Sequence, residues 1–141
     1  MFKGSCEHQL DDKNRLRIPS KFKKELTGEN GEKSYSFMRG KHNCILVFDD
    51  ETLDEVLAPL TEEGISDASR EADLIFGSIF SAEEDAQGRV VLPMILKKIA
   101  GIKKDLITIG RGNRLEIWAP DKYAEYMAGL DYDSALVKAR I

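Results

Sequence analysis

One pattern occurs twice in this chain, and it limits the fold more than any bulk property. "LDDKNRLRIP" at 10–19 returns as "EDAQGRVVLP" at 84–93. Asp11 matches Asp85, Arg15 matches Arg89, Leu16 matches Val90, Ile18 matches Leu92 and Pro19 matches Pro93, each 74 residues on. Further along, "GKHNCILVF" (40–48) aligns with "GRGNRLEIW" (110–118) at an offset of 70. The four extra residues of the first copy fall in "TGENGEKS" (27–34), whose Gly, Asn and charged residues mark a surface loop. A copy of roughly 60 residues with short strands makes a marginal core alone. The copies are therefore expected to fold together rather than separately.

Each copy follows the same plan. A strand (Phe2–Leu10; Ser78–Glu84) enters the charged turn, and a short alternating strand (Arg15–Ile18; Arg89–Leu92) leaves it. Proline then opens a short helix at its first position, in "PSKFKKEL" and in "PMILKKIAG", where Gly101 is the expected C-terminal cap. A hairpin follows: Tyr35–Arg39 with Ile45–Phe48, and Leu106–Gly110 with Leu115–Trp118. "DDETLDEVLAPL" and "APDKYAEYMAGL" close the copies as helices, the first with an Asp cap and acids in its first turn. "TEEGISDASREADLIFGS" between the copies reads as a loop and a helix at about Asp67–Phe76, with Ala68, Ala72, Leu74, Ile75 and Phe76 as its apolar stripe. The aromatic residues Phe37, Phe48, Phe76, Phe80 and Trp118 are assigned to the core. The organisation is thus a first repeat at 1–60, a connector at 61–77, a second repeat at 78–128 and a tail at 129–141, helical or frayed. The fold class is mainly β with peripheral helices.

The formal net charge is −4, which by itself points away from nucleic acid. Its distribution reverses that. Residues 1–24 hold seven Lys and Arg against three acids, whereas 49–75 hold ten acids against Arg70. Local field decides where a polyanion docks. Asp11 and Arg15 can pair across the turn, and Asn14 and Gly88 are the residues that tolerate positive φ there. Two readings stay open on these residues alone. In one, the motif is a loop staple. In the other, the rigid turn presents Lys13, Arg15 and Arg17, and in the second copy Gln87 and Arg89, to DNA. Arg can pair bidentately with guanine, Lys meets phosphate, and strands as well as helices enter the major groove.

Other signals are weaker. Cys6-x-His8 and His42-x-Cys44 would form a zinc site only if their strands paired, and the spacing is unlike common structural sites. No metal, cofactor or small-molecule substrate is assigned. Glu83 and Glu84 have no His or Ser partner nearby, so no enzyme is expected. The Lys pairs at 23–24, 97–98 and 103–104 read as solvated faces, the first within reach of phosphate. No apolar run is of membrane-spanning length, and the start lacks a signal-peptide core, which suggests a cytoplasmic protein.

"MFKG" at the start, the two Asp-x-x-x-Arg motifs and "LEIW" at 115–118 together resemble the MraZ family, bacterial regulators built from two SpoVT–AbrB-type repeats. Asn14 departs from the Gly usual in that family. The resemblance implies a swapped-hairpin β-barrel with pseudo-twofold symmetry and a closed homo-oligomeric ring. It also implies binding to direct repeats in double-stranded promoter DNA upstream of the family's own division and cell-wall genes, hence a nucleoid-associated transcriptional repressor. Carried over, Lys13, Asn14, Arg15 and Arg17 and then Gln87 and Arg89 would face DNA, with Asp11, Asp85 and Gly88 organising the turns. The alternative is a protein-binding module of the same barrel type, such as an antitoxin.

Overall fold

The computed structural model describes residues 1–28, 30–62 and 67–141. Its first half runs β1 (Ser5–Gln9), β2 (Arg15–Arg17), α1 (Ser20–Thr27), β3 (Tyr35–Arg39), β4 (Ile45–Asp49) and α2 (Asp50–Glu62). After α3 (Asp67–Phe76), the second half repeats the order: β5 (Phe80–Ser81), β6 (Arg89–Val91), α4 (Met94–Ala100), β7 (Asp105–Gly110), β8 (Leu115–Trp118) and α5 (Pro120–Met127). A last helix, α6 (Tyr132–Lys138), is capped by the Asp131 side chain. Of the loop expected between Thr61 and the helix at Asp67, residues 63–66 lie outside the described residues, as does Glu29 of the loop expected at 27–34.

Strand pairing interlocks the two halves. The six-stranded antiparallel sheet has the order β1-β7-β8-β4-β3-β5, and β2 pairs with β6 in a separate ribbon. β1 of the first repeat is hydrogen-bonded along its length to β7 of the second. In return, β5 is bonded to β3. The order is the same when the repeats exchange labels, so a pseudo-twofold axis relates them. It passes between Leu46 and Glu116 in the sheet and between Leu16 and Val90 in the ribbon, which are equivalent residues in direct register.

The sheet and the ribbon enclose one core. Leu10, Leu16, Ile18, Val90 and Leu92 from the turns and ribbon meet Ile45, Val47, Leu106, Leu115 and Ile117 from the sheet. Phe22 and Leu26 on α1, and Leu96 and Ala100 on α4, are spaced four apart and turn one face of each helix onto this core. β3 is buried on both faces because Tyr35 and Phe37 point inward while Met38 joins Phe48, Leu53 and Leu57 under α2. The acidic α2 is thus held behind β3 and β4, on the far side of the sheet from the core that the ribbon covers.

Several boundaries differ from the sequence expectation. β1 begins at Ser5 because Gly4 has φ +90 and bends the chain, while Phe2 makes an isolated bridge to Gly112. This close approach also explains Gly110: a Cβ there would lie 2.3 Å from the Lys3 backbone nitrogen. Pro19 and Pro93 sit just before α1 and α4, not inside them, with ψ of 137° and 130°. In that place the Pro19 carbonyl starts the helix by accepting from the Phe22 and Lys23 N–H groups. Gly101 does cap α4 in the left-handed region. Asp49 caps α2 by accepting from the Thr52 N–H at 3.0 Å. On α3 the apolar stripe is only partly used: Ala72 is buried, but Leu74 is 76% and Phe76 42% exposed.

The interlock makes a direct prediction. Fragments 1–77 and 78–141, produced separately, will each lack the far-ultraviolet signature of a stable sheet and will regain it when mixed, since each needs strands from the other. Two fragments that fold independently would contradict this topology.

Candidate nucleic-acid interface

The ribbon joins two turns that have the same construction. In the first, the Asp11 N–H donates to the Arg15 carbonyl at 2.9 Å and the Asn14 N–H to the Asp11 carbonyl at 3.0 Å. Asp11 Oδ1 accepts from the Lys13 and Arg15 N–H groups, both at 2.9 Å, and Oδ2 accepts from Arg15 Nε at 2.7 Å. In the second, Asp85 Oδ1 accepts from the Gln87 and Arg89 N–H groups at 2.9 Å, and Oδ2 from Arg89 Nε at 2.8 Å. Asn14 and Gly88 hold φ of 58° and 77°, the left-handed conformation that the turns require. One carboxylate therefore fixes both the backbone of its turn and the orientation of its arginine.

These contacts shift the aspartates. The Arg89 N–H, followed by the Gln87 N–H and the Arg89 guanidinium, outweighs partial desolvation and holds Asp85 down at about 2. At Asp11, desolvation acts upward, but the Arg15 N–H and guanidinium and the Lys13 N–H together keep the carboxyl below its ordinary value. Both turns thus keep charged carboxylates through the physiological range.

Alternation along the ribbon sets the rest. Leu16 and Val90 point into the core, so Arg15, Arg17, Arg89 and Val91 lie on the outer face. Arg17 stands directly opposite Arg89, and Arg15 opposite Val91. Arg15 also reaches over the axis to within 3.8 Å of Asp85 Oδ2. Among the described residues Arg17 has no ion pair, and both Arg17 and Lys13 are exposed. Gln87 is exposed at the tip of the second turn. Two open grooves flank the ribbon. One, of about 620 Å³, is lined by His8, Asp11, Arg15, Arg17, Arg89 and Lys104. The other, of about 610 Å³, is lined by Arg17, Lys23, Lys24, Gln87 and Gly88.

All six basic and polar candidates from the sequence therefore lie on one ribbon and its two turns. Sequence reasoning missed what braces them. Lys23 and Lys97 are only partly exposed and each has a partner: Lys23 pairs with Glu84, which also accepts from the Tyr35 hydroxyl at 2.5 Å, and Lys97 donates to Asn14 Oδ1 at 2.6 Å. Desolvation lowers the Lys23 pKa and raises that of Tyr35. The one available signal was that these lysines are repeat equivalents, 74 residues apart. The condition for a Cys2His2 cluster is not met, because β7 and β8 separate β1 from β4. His8 instead bonds to Thr108 Oγ1 at 2.7 Å, and Cys44 is buried, its thiol pushed up to about 12 by desolvation and then by Glu116.

A family model described as "MraZ protein, putative antitoxin-like" matches this chain twice, over residues 1–76 and 75–140. The chain belongs to the MraZ family. Among curated MraZ relatives, "Transcriptional regulator MraZ" of Clostridium tetani is 38% identical, over 98% of this chain and 96% of that protein. The protein of the same name from Thermobifida fusca is 35% identical over 91% and 87%. That from Symbiobacterium thermophilum is 37% identical over 87% of each.

The aspartate shift gives a prediction with a definite sign. A carboxylate depressed on folding stabilises the fold above its unfolded pKa, about 3.9, and loses that contribution as pH falls through its folded value. With Asp85 near 2, the wild type will lose stability between about pH 4 and pH 2. Asp85→Asn will lower stability at neutral pH and flatten its pH dependence in that window, as read by denaturant unfolding. An unchanged slope would remove Asp85 from the folding balance.

Proposed function

We propose that this protein is a DNA-binding transcriptional regulator whose reading surface is the β2–β6 ribbon with its two turns. The observation that carries this reading is the facing pair Arg17–Arg89, beside Arg15, on an exposed strand pair. Like charges directly opposite one another on a sheet cost stability. A protein keeps such a feature at a site where another requirement outweighs folding. A polyanion supplies it: phosphates would relieve the repulsion and release counterions. The names of the relatives point the same way.

The staple and the DNA reading then describe one device. Asp11 and Asp85 take the Nε atoms of their arginines, so the Nη2 atoms are left to present donors, while Arg15 Nη1 lies 3.8 Å from Asp85 Oδ2. Arg15 and Arg89, orientated before contact, suit bidentate recognition of guanine. Lys13, Asn14, Arg17 and Gln87 extend the surface to phosphates and base edges. The first repeat dominates, because Val91 stands where its equivalent is Arg17 and Gln87 where its equivalent is Lys13. One such surface is small. A closed ring of copies binding direct repeats would gain affinity through effective concentration. On this reading the protein is a cytoplasmic, nucleoid-associated repressor of its own promoter and the division and cell-wall genes that follow, with no catalytic role. No helix among the described residues is long and apolar enough to cross a membrane.

The words "antitoxin-like" in the family description favour a second reading, in which the partner is a protein. Leu130, Tyr132 and Val137, exposed on and around α6, are the residues such a partner would cover.

The deciding experiment is a mobility shift with duplex from upstream of the protein's own gene, across a salt series. Wild type will bind it above random duplex, with log affinity falling linearly in log salt. Arg15→Ala will lose roughly five- to a hundredfold of specific affinity while keeping its melting temperature within a few degrees. Arg17→Ala will weaken specific and random duplex alike and reduce the salt slope by about one. A folded wild type that does not distinguish its upstream DNA from random duplex would overturn the proposal in favour of a protein partner.

A further inference from the structure

Lys23 on α1 and Lys97 on α4 are equivalent in the repeat, yet each reaches the turn of the opposite repeat. Lys97 Nζ donates to Asn14 Oδ1 at 2.6 Å, inside the first turn. Lys23 pairs with Glu84, the residue that enters the second turn, and the Tyr35 hydroxyl holds the same carboxylate oxygen. The exchange of strands explains why the grips cross over. Each proline-led helix follows its own ribbon strand, and the ribbon places the far turn beside that helix. The Asn14 carbonyl confirms the proximity, since it accepts from the N–H of Leu92, two residues before α4.

The two grips use different chemistry because the repeats have diverged. The equivalent of Glu84 is Leu10, which is 2% exposed in the core. Lys97 therefore has no carboxylate at that position. The amide of Asn14 supplies the acceptor, at a turn position where the second repeat has Gly88 and no side chain at all. A half-buried ammonium without its acceptor is costly, and a charge-assisted bond to Asn14 also favours the left-handed conformation that Asn14 already holds.

We propose that Lys97 is a positioning residue for the first turn. It acts through the Asn14 side chain to fix the turn that displays Lys13 and Arg15, and it is not itself a DNA contact. Lys23 does the same for the second turn through Glu84. The consequence for recognition rests on the DNA reading above; the clamp itself does not.

The test uses the full chain and the variants Lys97→Met, Asn14→Gly and their double. Asn14→Gly removes the acceptor while keeping a residue suited to positive φ, so it probes the clamp without touching Lys97. Amide exchange by mass spectrometry, without DNA, will show faster exchange across 11–17 in each single variant, no further change in the double, and no change across 85–91. Binding to the upstream duplex will then fall roughly two- to tenfold for Lys97→Met in the wild-type background. In the Asn14→Gly background the same substitution will have no effect, and the salt slope will not change in either. An equal loss in both backgrounds with a salt slope smaller by about one would make Lys97 a phosphate contact and overturn the proposal. Unaltered exchange in both single variants would overturn it as well. If the wild type binds no duplex specifically, the DNA reading fails, while the exchange measurement still decides whether the clamp exists.

Discussion

The structure depends on the pairing of β1 with β7 and of β5 with β3. Each repeat contributes its entering strand to the other, so the core is built jointly from both. The chain then leaves the sheet at each Asp-x-x-x-Arg turn, and the two strands that follow can only meet each other. That meeting is the β2–β6 ribbon, anchored by Leu16 and Val90 on the axis. Truncating one such buried Leu costs about 2–5 kcal/mol, a large part of a typical domain's stability of about 5–15 kcal/mol. The interlock and the ribbon are thus one feature seen from two sides, and the ribbon's position follows from the core.

On this frame the turns are over-determined. Each aspartate holds two backbone N–H groups and one guanidinium, and the lysine of the opposite helix adds a further contact from across the axis. Such bracing is more than a surface loop needs in order to connect two strands. It suits a surface that must show a few donors in a fixed arrangement, where pre-organisation reduces the entropy lost on binding. The opposed Arg17 and Arg89 point to the same end, since they bring two guanidinium groups together on the outer face, Arg89 held by Asp85 and Arg17 without an ion pair among the described residues, and so concentrate positive potential there. The acidic α2, kept behind β3 and β4, does not cancel that potential.

Much of this was legible in the residues. The offsets of 74 over the motif and 70 over the hairpin revealed the duplication, alternation in Arg15–Arg17 and Arg89–Val91 separated core from outer face, and the Asp-x-x-x-Arg spacing marked the turns. What was not legible depends on contacts between residues far apart in the chain. Lys23 and Lys97 belong to Lys-Lys pairs that look like solvated faces, and only the crossing of repeats brings Glu84 and Asn14 to them. His8 could be weighed only as a possible zinc ligand, because its partner Thr108 is brought beside it by the pairing of β1 with β7. On α3 a run of apolar residues could not say which face would be covered, and Leu74 and Phe76 stay exposed. Strand ends moved where backbone geometry intervened, as at Gly4, which no pattern of hydrophobicity records.

The most direct test of the account is to map the surface that upstream duplex protects, by amide exchange of the wild-type protein with and without that DNA. Protection is expected at 11–17 and 85–91 together, with α2 and α3 unchanged. Protection centred on α2 and α3, or on α5 and α6, with the ribbon unaffected, would contradict it.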